Sequence, residues 1–329
     1  MTRMFLRLLP ALAMLALSPA APALDTGRPE VQAFMDRLAR QHGFDRKYVQ
    51  QALSESKQQQ SILDAISRPA EKTKPWYEYR EIFITPKRIN AGVKFWKEQE
   101  SRLTRIADDT GVPSEIIAAI VGVETYYGRI TGNYRVLDAL ATLGFDYPRR
   151  GKFFRGELEN LFLLAREEQI ALDEIKGSYA GAMGPPQFIP SSYRRYSVDG
   201  DGDGRRDLLN NWDDILGSVA NYFVAHRWRS GEPIVARGLW DGDKPAPKSK
   251  NQLKVSTTVG SLDARGISID LPVEASTPAE LISLEGEREQ EFWVGFHNFY
   301  VITRYNRSVM YALAVSQLAE SIADAVAAQ

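Results

Sequence analysis

The stretch Val112–Gly128 limits the fold most strongly, because its sequence VPSEIIAAIVGVETYYG carries a helix start, an apolar stripe and a helix stop. Pro113 suits the first turn of a helix, and Glu115 is favourable near the positive end. Gly128 is a typical residue for ending a helix. The stretch therefore predicts one helix of about three to four turns, against which other elements pack.

Glu124 lies on the apolar stripe of this helix. The stripe consists of Ile116, Ile117, Ile120 and Val121. Helical spacing places Glu124 on the same face, four residues beyond Ile120. Because removal from water disfavours the charged form of a carboxyl, a partly buried Glu124 could hold a proton near neutrality, as a general acid must. The alternative is a buried carboxylate that is only paired, for example with Arg129.

The composition excludes several classes of function. The net charge of -1 gives no field that would gather nucleic acid or an anionic membrane. The chain has no cysteine, which excludes thiol nucleophiles, disulfides and cysteine-type zinc sites. Its three histidines, His42, His226 and His297, do not have the H-E-x-x-H spacing of a catalytic zinc helix.

Residues 1–24 have the composition of an export signal. Arg3 and Arg7 precede the apolar run Leu8–Leu17, and Ala21–Ala23 offers small residues for cleavage. The run is too short to span a bilayer comfortably, although an uncleaved membrane anchor is the alternative. We expect an exported, soluble mature protein, with no later segment apolar enough to cross a membrane.

The remaining chain is long enough for two or three domains. We expect residues 25–75 to form an N-terminal helical region that packs with residues 297–329. We expect residues 76–231 to form a mostly helical core. Lys72–Arg80 is expected to be an extended linker because prolines and aromatic residues interrupt it. Helical periodicity is found at residues 29–42, after Asp45, around Ile62, and at residues 86–109, 136–143, 151–168 and 214–228.

Two further segments depart from helical periodicity. Gly177–Ser192 is rich in glycine and proline, which is typical of a loop whose backbone passes close to something else. Residues 232–296 show short alternating runs at residues 233–236, 252–257 and 266–271, which predict a small antiparallel β subdomain. Residues 297–329 return to helical periodicity through Tyr311, Val315, Leu318 and Ile322.

A glycosidase normally needs two carboxylates that flank the scissile bond. Asp138 and Asp146 are candidate partners of Glu124, but neither is as well placed in the sequence. If there is no second carboxylate, the substrate must supply the nucleophile itself. A sugar N-acetyl group can do so, which would make an N-acetylated glycan the natural substrate.

Several stretches together resemble the membrane-bound lytic transglycosylase B family of bacterial peptidoglycan enzymes, glycoside hydrolase family 103. They are VGVETYYGRITG, LDALATLGFDYPRR, GSYAGAMGPPQFIPSSY, GSVANYF and NFYVITRYN. The match keeps order and spacing from about Trp76 to the end of the chain. It implies an α+β, mainly α fold, with a lysozyme-like helical core, an additional helical domain and a small antiparallel β subdomain.

The resemblance also implies an activity. The family cleaves the β-1,4 bond between N-acetylmuramic acid and N-acetylglucosamine in peptidoglycan without water and leaves 1,6-anhydro ends. Glu124 would be its single acid and base, with the substrate N-acetyl group taking part and no cofactor in the chemistry. The alternatives are a hydrolytic muramidase that uses water and an overlooked Asp, and a non-catalytic peptidoglycan-binding protein.

Matching positions suggest a substrate groove. Tyr79 resembles the family's aromatic wall residue. Arg149 and Arg150 suit acidic peptidoglycan groups, because guanidinium binds carboxylate in a bidentate fashion. Ser178 and Gln187 resemble hydrogen-bonding partners of the sugar. The remaining matched groove positions are Tyr222, Tyr305, Asn306 and Tyr311.

The sequence DGDGDGRRDLLNNWDD, which begins at Asp199, is similar to an EF-hand calcium loop. Asp199, Asp201 and Asp203 occupy its first, third and fifth positions. The twelfth position is Asn210 instead of a bidentate glutamate, and the resemblance points to a longer loop closed by Asp214. We expect a structural Ca²⁺ here, the alternative being an acidic turn without an ion.

The absence of cysteine departs from the family name, because the lipid anchor of membrane-bound members is attached through cysteine. We therefore expect a soluble periplasmic protein that contacts peptidoglycan glycan strands, without nucleic acid or membrane partners.

Overall fold

The computed structural model describes residues 22–67, 74–242 and 246–329. Most of the expected export signal, and the first two residues of the expected linker, lie outside these ranges. The helices are α1 (Pro29–His42), α2 (Arg46–Ser54), α3 (Gln60–Ser67), α4 (Trp76–Phe83), α5 (Pro86–Thr110), α6 (Ser114–Thr125), α7 (Val136–Asp146), α8 (Gly151–Glu167), α9 (Pro190–Tyr196), α10 (Trp212–Ala225), α11 (Val259–Asp263), α12 (His297–Ile302) and α13 (Val309–Ala327). The strands are β1 (Tyr134–Arg135), β2 (Lys176–Gly177), β3 (Val235–Trp240), β4 (Thr257–Thr258), β5 (Ile267–Ile269), β6 (Pro278–Glu285) and β7 (Gln290–Gly295).

Helix α6 is the centre of the helical body. Ile116–Val123 is buried throughout, and α6 packs against α5, α10 and α13. Its neighbour α5 has clear ends, because Thr85 accepts a hydrogen bond from the Arg88 amide and Gly111 ends the helix in a left-handed conformation. The stretch that predicted the central helix therefore lies where the packing is densest.

The N-terminal helices pack differently from the expectation. Phe34 of α1 contacts Phe145 of α7 and Phe162 of α8, and Arg28 forms an ion pair with Asp146. Helix α13 packs instead against α4, α5 and α6. The prediction that residues 25–75 pack with residues 297–329 is corrected accordingly, because amphipathic periodicity shows that a face is buried without showing its partner.

Helix α4 replaces part of the expected linker. Pro75 precedes its first residue, and Trp76 and Tyr79 are buried on one face. Proline is tolerated at a helix start because no intrahelical N–H bond is required there. The aromatic residues that suggested an extended segment are the buried side of a two-turn helix.

The β subdomain is a five-stranded antiparallel sheet with the strand order β4-β6-β7-β3-β5. Its longest pairing joins β6 to β7, from Glu280 opposite Gly295 to Glu285 opposite Gln290. The alternating runs in the sequence predicted strands near β3, β4 and β5 but did not indicate β6 and β7. A separate pair, β1 and β2, brings Tyr134 opposite Gly177 and fixes the start of the glycine- and proline-rich loop.

Helix α13 is long and apolar enough to cross a membrane, by length and composition alone, among the residues that the structure describes. The expectation that no later segment would pass this test is therefore wrong. Its most apolar window is 56% buried inside the protein, and Tyr311 on this helix reaches Glu124. Such burial is typical of a core helix in a globular domain.

Candidate active site

The candidate site begins where α6 ends. Tyr126, Tyr127 and Gly128 follow with φ angles of 52°, 60° and 80°, so three successive residues are left-handed. The Tyr127 ring occupies space left by two glycines: a Cβ added at Gly122 would lie 2.7 Å from that ring, and one at Gly92 would lie 2.5 Å from its hydroxyl. Packing of this ring compensates for the unfavourable left-handed backbone.

Thr125 connects the end of α6 to the glycine- and proline-rich loop. Its buried hydroxyl lies 2.9 Å from the carbonyl of Pro185, and it accepts a hydrogen bond from the Gly128 amide at 3.0 Å. A hydroxyl can donate one bond and accept another, so one side chain fixes both the turn and the loop. This connection positions the loop beside Glu124.

Glu124 is half-buried one residue before this turn. The hydroxyl of Tyr311, which is 2% exposed, donates a 2.6 Å hydrogen bond to Glu124 Oε1. Tyr311 is held in turn by the start of α13, where Ser308 accepts a hydrogen bond from the Tyr311 amide. A carboxyl at the boundary between core and solvent, with a fixed neutral donor, can exchange a proton with a bound substrate.

An aromatic cluster continues from this carboxyl. The Tyr305 ring lies 4.9 Å from the Tyr222 ring and 5.7 Å from the Phe188 ring. The Tyr305 hydroxyl donates to the carbonyl of Pro186 at 2.7 Å, and the Tyr222 hydroxyl donates to the carbonyl of Arg304 at 2.6 Å. These bonds hold the rings in place, so they form a fixed wall.

The tyrosines remain hydrogen-bond donors at any ordinary pH. Burial first, and then the negative charge of Glu124, raises the pKa of Tyr311 and of Tyr305 well above the usual value. Burial raises the pKa of Tyr222 to about 12. Tyr79 contributes a further, smaller increase to the pKa of Tyr311, which places it in the same aromatic neighbourhood, and its ring lies 5.2 Å from that of Phe83.

The other acidic and basic candidates have separate roles. Arg129 is exposed over the Tyr126 ring at 5.3 Å and forms no ion pair within the described part of the chain. Asp138 pairs with Arg135 at 2.6 Å and Asp146 pairs with Arg28 at 2.6 Å. The structure therefore does not support Arg129 as the ion-pair partner of Glu124, and both aspartates are committed to structural pairs.

The predicted sugar-binding residues of the loop make internal hydrogen bonds. Ser178 Oγ accepts bonds from the amides of Ala180 and Ala182, at 3.2 Å and 3.1 Å. Gln187, with a φ of 52°, donates from Nε2 to the carbonyls of Thr131 and Gly184. Both side chains shape the loop. The side-chain oxygen Oε1 of Gln187 has no hydrogen bond within the described chain.

Two predicted groove residues, both arginines, are less closely connected to this centre. Arg149 and Arg150 are exposed at the start of α8, and the Arg150 guanidinium lies 4.4 Å from the centre of the Phe153 ring. Within the described residues, neither arginine contacts Glu124 or its tyrosines through a hydrogen bond, ion pair or ring contact. Asn306 is half-buried beside Tyr305.

Sequence reasoning missed Arg88, which is 36 positions before Glu124. Its guanidinium donates to the carbonyl of Gly122 in α6 and lies over the rings of Phe83 and Tyr126, at 5.3 Å and 4.9 Å. Burial lowers the pKa of Arg88. A cation near the carboxyl end of a helix is favourable, so Arg88 stabilises the end of α6 beside Glu124. No local sequence signal connects these two segments.

The acidic loop forms a compact cluster on the surface. Ligand oxygens of Asp199, Asp201 and Asp203 lie within 4.8 Å of one another, and all three residues are exposed. Gly202 and Gly204 have φ angles of 78° and 88°, so the chain can turn tightly around these oxygens. Three exposed carboxylates at this spacing fit a hard cation such as Ca²⁺.

Asp214 lies outside this cluster, unlike the prediction that it closes the loop. It is fully buried, and its two oxygens accept hydrogen bonds from the amides of Gly200 and Asp207, at 2.7 Å and 2.6 Å. Burial raises the pKa of Asp214, and the negative charges of Asp201 and Asp199 raise it further. Its carboxyl holds the two ends of the loop together through the backbone.

The chain matches a known protein family over most of its length. The family described as Transglycosylase SLT domain matches residues 26–320. The chain is 44% identical over 306 residues to membrane-bound lytic murein transglycosylase B of Escherichia coli strain K12, which corresponds to 90% of this chain and 83% of that protein.

Solved structures are similar over nearly the whole chain. Soluble lytic transglycosylase SltB1 from Pseudomonas aeruginosa is 47% identical with a TM-score of 0.84, covering 90% of this chain and 99% of that one. The Escherichia coli lytic transglycosylase Slt35, solved in complex with calcium, is 41% identical with a TM-score of 0.85, covering 94% and 97%.

Proposed function

The chain belongs to the lytic transglycosylase family with the SLT domain, and from this premise we propose that Glu124 is the acid and base of a peptidoglycan-cleaving site. The protein is a peptidoglycan lytic transglycosylase with a lysozyme-like fold, acting on murein glycan strands. The observation that carries the assignment of the site is the half-buried Glu124 carboxyl, fixed by Tyr311 at 2.6 Å next to an ordered aromatic wall.

The proposed reaction needs one carboxyl in two steps. Glu124 first donates its proton to the glycosidic oxygen, while the N-acetyl oxygen of the muramoyl residue bonds to its own anomeric carbon and the glycosidic bond breaks. Glu124, now ionised, then accepts the proton of the muramoyl 6-hydroxyl, whose oxygen displaces the N-acetyl oxygen. The product is a 1,6-anhydro ring, the carboxyl regains its proton, and no water is consumed.

The surrounding residues position the Glu124 carboxyl and the substrate. Tyr311 orients Glu124 and remains a donor in both protonation states of the carboxyl, because its own pKa is raised. Tyr79, Tyr222 and Tyr305 form the wall against which sugar rings pack. Ser178, Gln187 and Asn306 would contact polar groups of the sugar, and Arg149 and Arg150 would meet acidic groups farther along the strand.

Glu124→Gln tests the assignment. The amide keeps the size of the side chain but cannot donate a proton as a carboxylic acid does, so release of anhydro fragments from purified sacculi should be lost. Binding to sacculi should remain, because the groove is unchanged. Release of fragments at the parent rate would contradict the role of Glu124, while mass spectrometry of the parent digest verifies the chemistry itself.

The hydrolytic alternative gives a different product. A muramidase leaves reducing muramic acid ends, each one water heavier than the anhydro end. Asp138 and Asp146, the candidates for a second carboxylate, are held by arginines. We therefore expect only anhydro ends in the digest, and a majority of reducing ends would support hydrolysis instead.

We also propose that Asp199, Asp201 and Asp203 bind a structural Ca²⁺. The support is their oxygen cluster together with the calcium complex solved for Slt35. Calcium added to chelator-treated protein should raise the melting temperature, since a ligand that binds only the folded state stabilises it. Asp201→Asn should reduce this increase, and an unchanged melting temperature in the parent would contradict the site.

The proposed location is the periplasm, as a soluble protein. The related proteins include both a membrane-bound and a soluble enzyme. The basic and apolar composition of residues 1–24 and the absence of cysteine support export without a cysteine-linked lipid. Cell fractionation tests this location, and recovery of the mature protein in membranes despite high salt would contradict it.

A further inference from the structure

A basic cleft of about 410 Å³ lies behind the aromatic wall, at the end of α10 and beside α12. The side chains that define it are His226, Arg227, Lys254, His297, Tyr300 and Arg304. Its other lining residues are apolar, and none of the described residues that line it carries a carboxylate. The volume is within the range of about 300–1,000 Å³ that is usual for small-ligand sites.

The positive charges of this cleft are not neutralised within the protein. In the described ranges, Arg227, Lys254 and Arg304 form no ion pair within 4.0 Å. All three residues are exposed at the rim, so their positive charges remain available to bind an anion. Charged groups usually form local pairs where an acidic neighbour is present, and no acidic residue is among the described residues that line the cleft.

The two histidines in the walls are held by backbone carbonyls. The Nδ1 atom of His226 lies 2.7 Å from the carbonyl of Tyr222, and Nε2 of His297 lies 2.7 Å from the carbonyl of Arg227. Because a carbonyl only accepts, each of these nitrogens carries a hydrogen and donates it to the backbone, which fixes the orientation of both rings. Tyr300 is 5% exposed, and its buried hydroxyl has no hydrogen-bond partner in the described chain.

This hydroxyl is sealed from solvent and lies against β7, where a Cβ added at Gly295 would be 3.1 Å from it, so it does not face the cleft. Burial, and to a smaller degree the charge of Glu280, raises the pKa of Tyr300, so its hydroxyl remains protonated and able to donate. Glu280 itself accepts a hydrogen bond from Ser256. The cleft itself therefore offers the two guanidinium groups of Arg227 and Arg304 and the ammonium group of Lys254, and such cations bind carboxylates.

The cleft adjoins the candidate active site through a single layer of side chains. The His226 ring lies 4.3 Å from the Tyr222 ring, and Tyr222 bonds through its hydroxyl to the Arg304 carbonyl. The next residue, Tyr305, belongs to the wall beside Glu124. Tyr222 therefore connects the cleft to the wall along which the glycan strand is proposed to lie.

We propose that the basic cleft binds a carboxylate of the peptide stem carried by the glycan substrate, which rests on the function proposed above. Arg149 and Arg150, expected from the sequence to meet such groups, do not line it. The cleft would therefore favour strands that bear stems over bare glycan. A phosphate group has similar anionic chemistry, so the test includes inorganic phosphate as a separate probe.

The experiment measures kcat/KM for three substrates: strands with peptide stems, the same strands with amidated stem carboxylates, and strands stripped of stems. The test variant is Arg227→Gln/Lys254→Gln, and the matched control is Lys47→Gln/Arg265→Gln, which removes two exposed cations outside the cleft. Melting temperatures establish that both variants are folded.

For the test variant, kcat/KM on stem-bearing strands should fall about twofold to twentyfold, as expected for two exposed charge pairs. Activity on amidated and stripped strands should be unchanged, and the control variant should match the parent on all three. Equal loss on all substrates, or full retention of the stem preference, would overturn the inference. Competition by millimolar phosphate that is unrelated to stems would also overturn it.

A failure of the proposed function is distinguishable from these outcomes. In that case the parent protein itself would release no anhydro ends from stripped strands. A parent protein that cleaves all three substrates equally would retain the proposed function and refute only the role of the cleft.

Discussion

Removal of the Tyr311 hydroxyl tests the electrostatic control of Glu124. Tyr311→Phe keeps the buried ring and removes only the donor of the 2.6 Å bond to Oε1. A hydrogen bond to a charged group contributes about 1.5–3 kcal/mol net, which corresponds to about 1–2 pH units. Because the phenol stabilises the ionised carboxyl, its loss favours the protonated form.

In the proposed mechanism Glu124 must be protonated to donate, so we expect activity to fall as pH rises through its titration. The alkaline limb of the kcat/KM profile should therefore move to higher pH in Tyr311→Phe, while the rate at the optimum falls because the carboxyl is less well oriented. The assay is the release of anhydro fragments from soluble glycan strands across the pH range, followed by chromatography and mass spectrometry.

Tyr305→Phe is the matched control. Its hydroxyl also lies in the aromatic cluster but donates to the carbonyl of Pro186 instead of the carboxyl. This variant should lose some activity without a comparable displacement of the alkaline limb. If the limb moved to lower pH in Tyr311→Phe, or moved equally in both variants, the proposed interaction between Tyr311 and Glu124 would be refuted.

Two further predictions concern stability. Gly122→Ala should destabilise the fold by about 1–3 kcal/mol, because the new Cβ would lie 2.7 Å from the Tyr127 ring, whereas Gly156→Ala, with open space around it, should be neutral or stabilising by about 0.5–1 kcal/mol. Chemical denaturation checks both, and equal effects would contradict the packing argument. Burial raises the pKa of the Glu157 carboxyl above its ordinary value of 4.5, although Ser191 donates two hydrogen bonds to it. The folded protein therefore binds this proton more tightly than the unfolded chain does. The resulting contribution to the free energy of unfolding is present below pH 4.5 and is lost as pH rises through the raised pKa. Glu157→Gln should flatten this part of the curve of unfolding free energy against pH, and an unchanged slope would exclude Glu157 as its source.

The central helix could be predicted because its signals are local. Pro113, Glu115 and the apolar stripe define its start and its buried face. The end differs by two to three residues, because Tyr126 takes the left-handed position that glycine usually occupies. Tertiary packing decides this end, since the Tyr127 ring needs the space left by Gly92, which lies on another helix.

Strand β6 could not be recognised from alternation because both of its faces are covered. Leu281 packs into the small core of the β subdomain, whereas Ile282 and Leu284 pack into the main core. A strand buried on both sides loses the period of two that marks a half-exposed strand. The family resemblance supplied the fold class and the function, which the comparisons confirm, although it did not supply these strands.

The residues around Glu124 differ in predictability for the same reason. The family resemblance implies Tyr311 as a groove position, but its bond to the carboxyl depends on the packing of α13 against α6. Arg88 and Thr125 contact the backbone carbonyls of Gly122 and Pro185. Because every residue has a backbone carbonyl, the sequence does not show which one a side chain will contact. Patterns identify side chains that must be buried or charged, while contacts to backbone become visible only in three dimensions.

The neutral Tyr311 donor beside Glu124 suits the chemistry that we propose for the site. A cation within ion-pair distance would stabilise the carboxylate in every step, and an acid that must first donate would then be held in its ionised form. The Tyr311 hydroxyl stabilises the ionised form more weakly, and its raised pKa ensures that it does not titrate with the carboxyl. The exposed position of Arg129 over Tyr126 keeps its charge on the surface. A single carboxyl can therefore pass through both protonation states in one reaction, which is what cleavage without water requires.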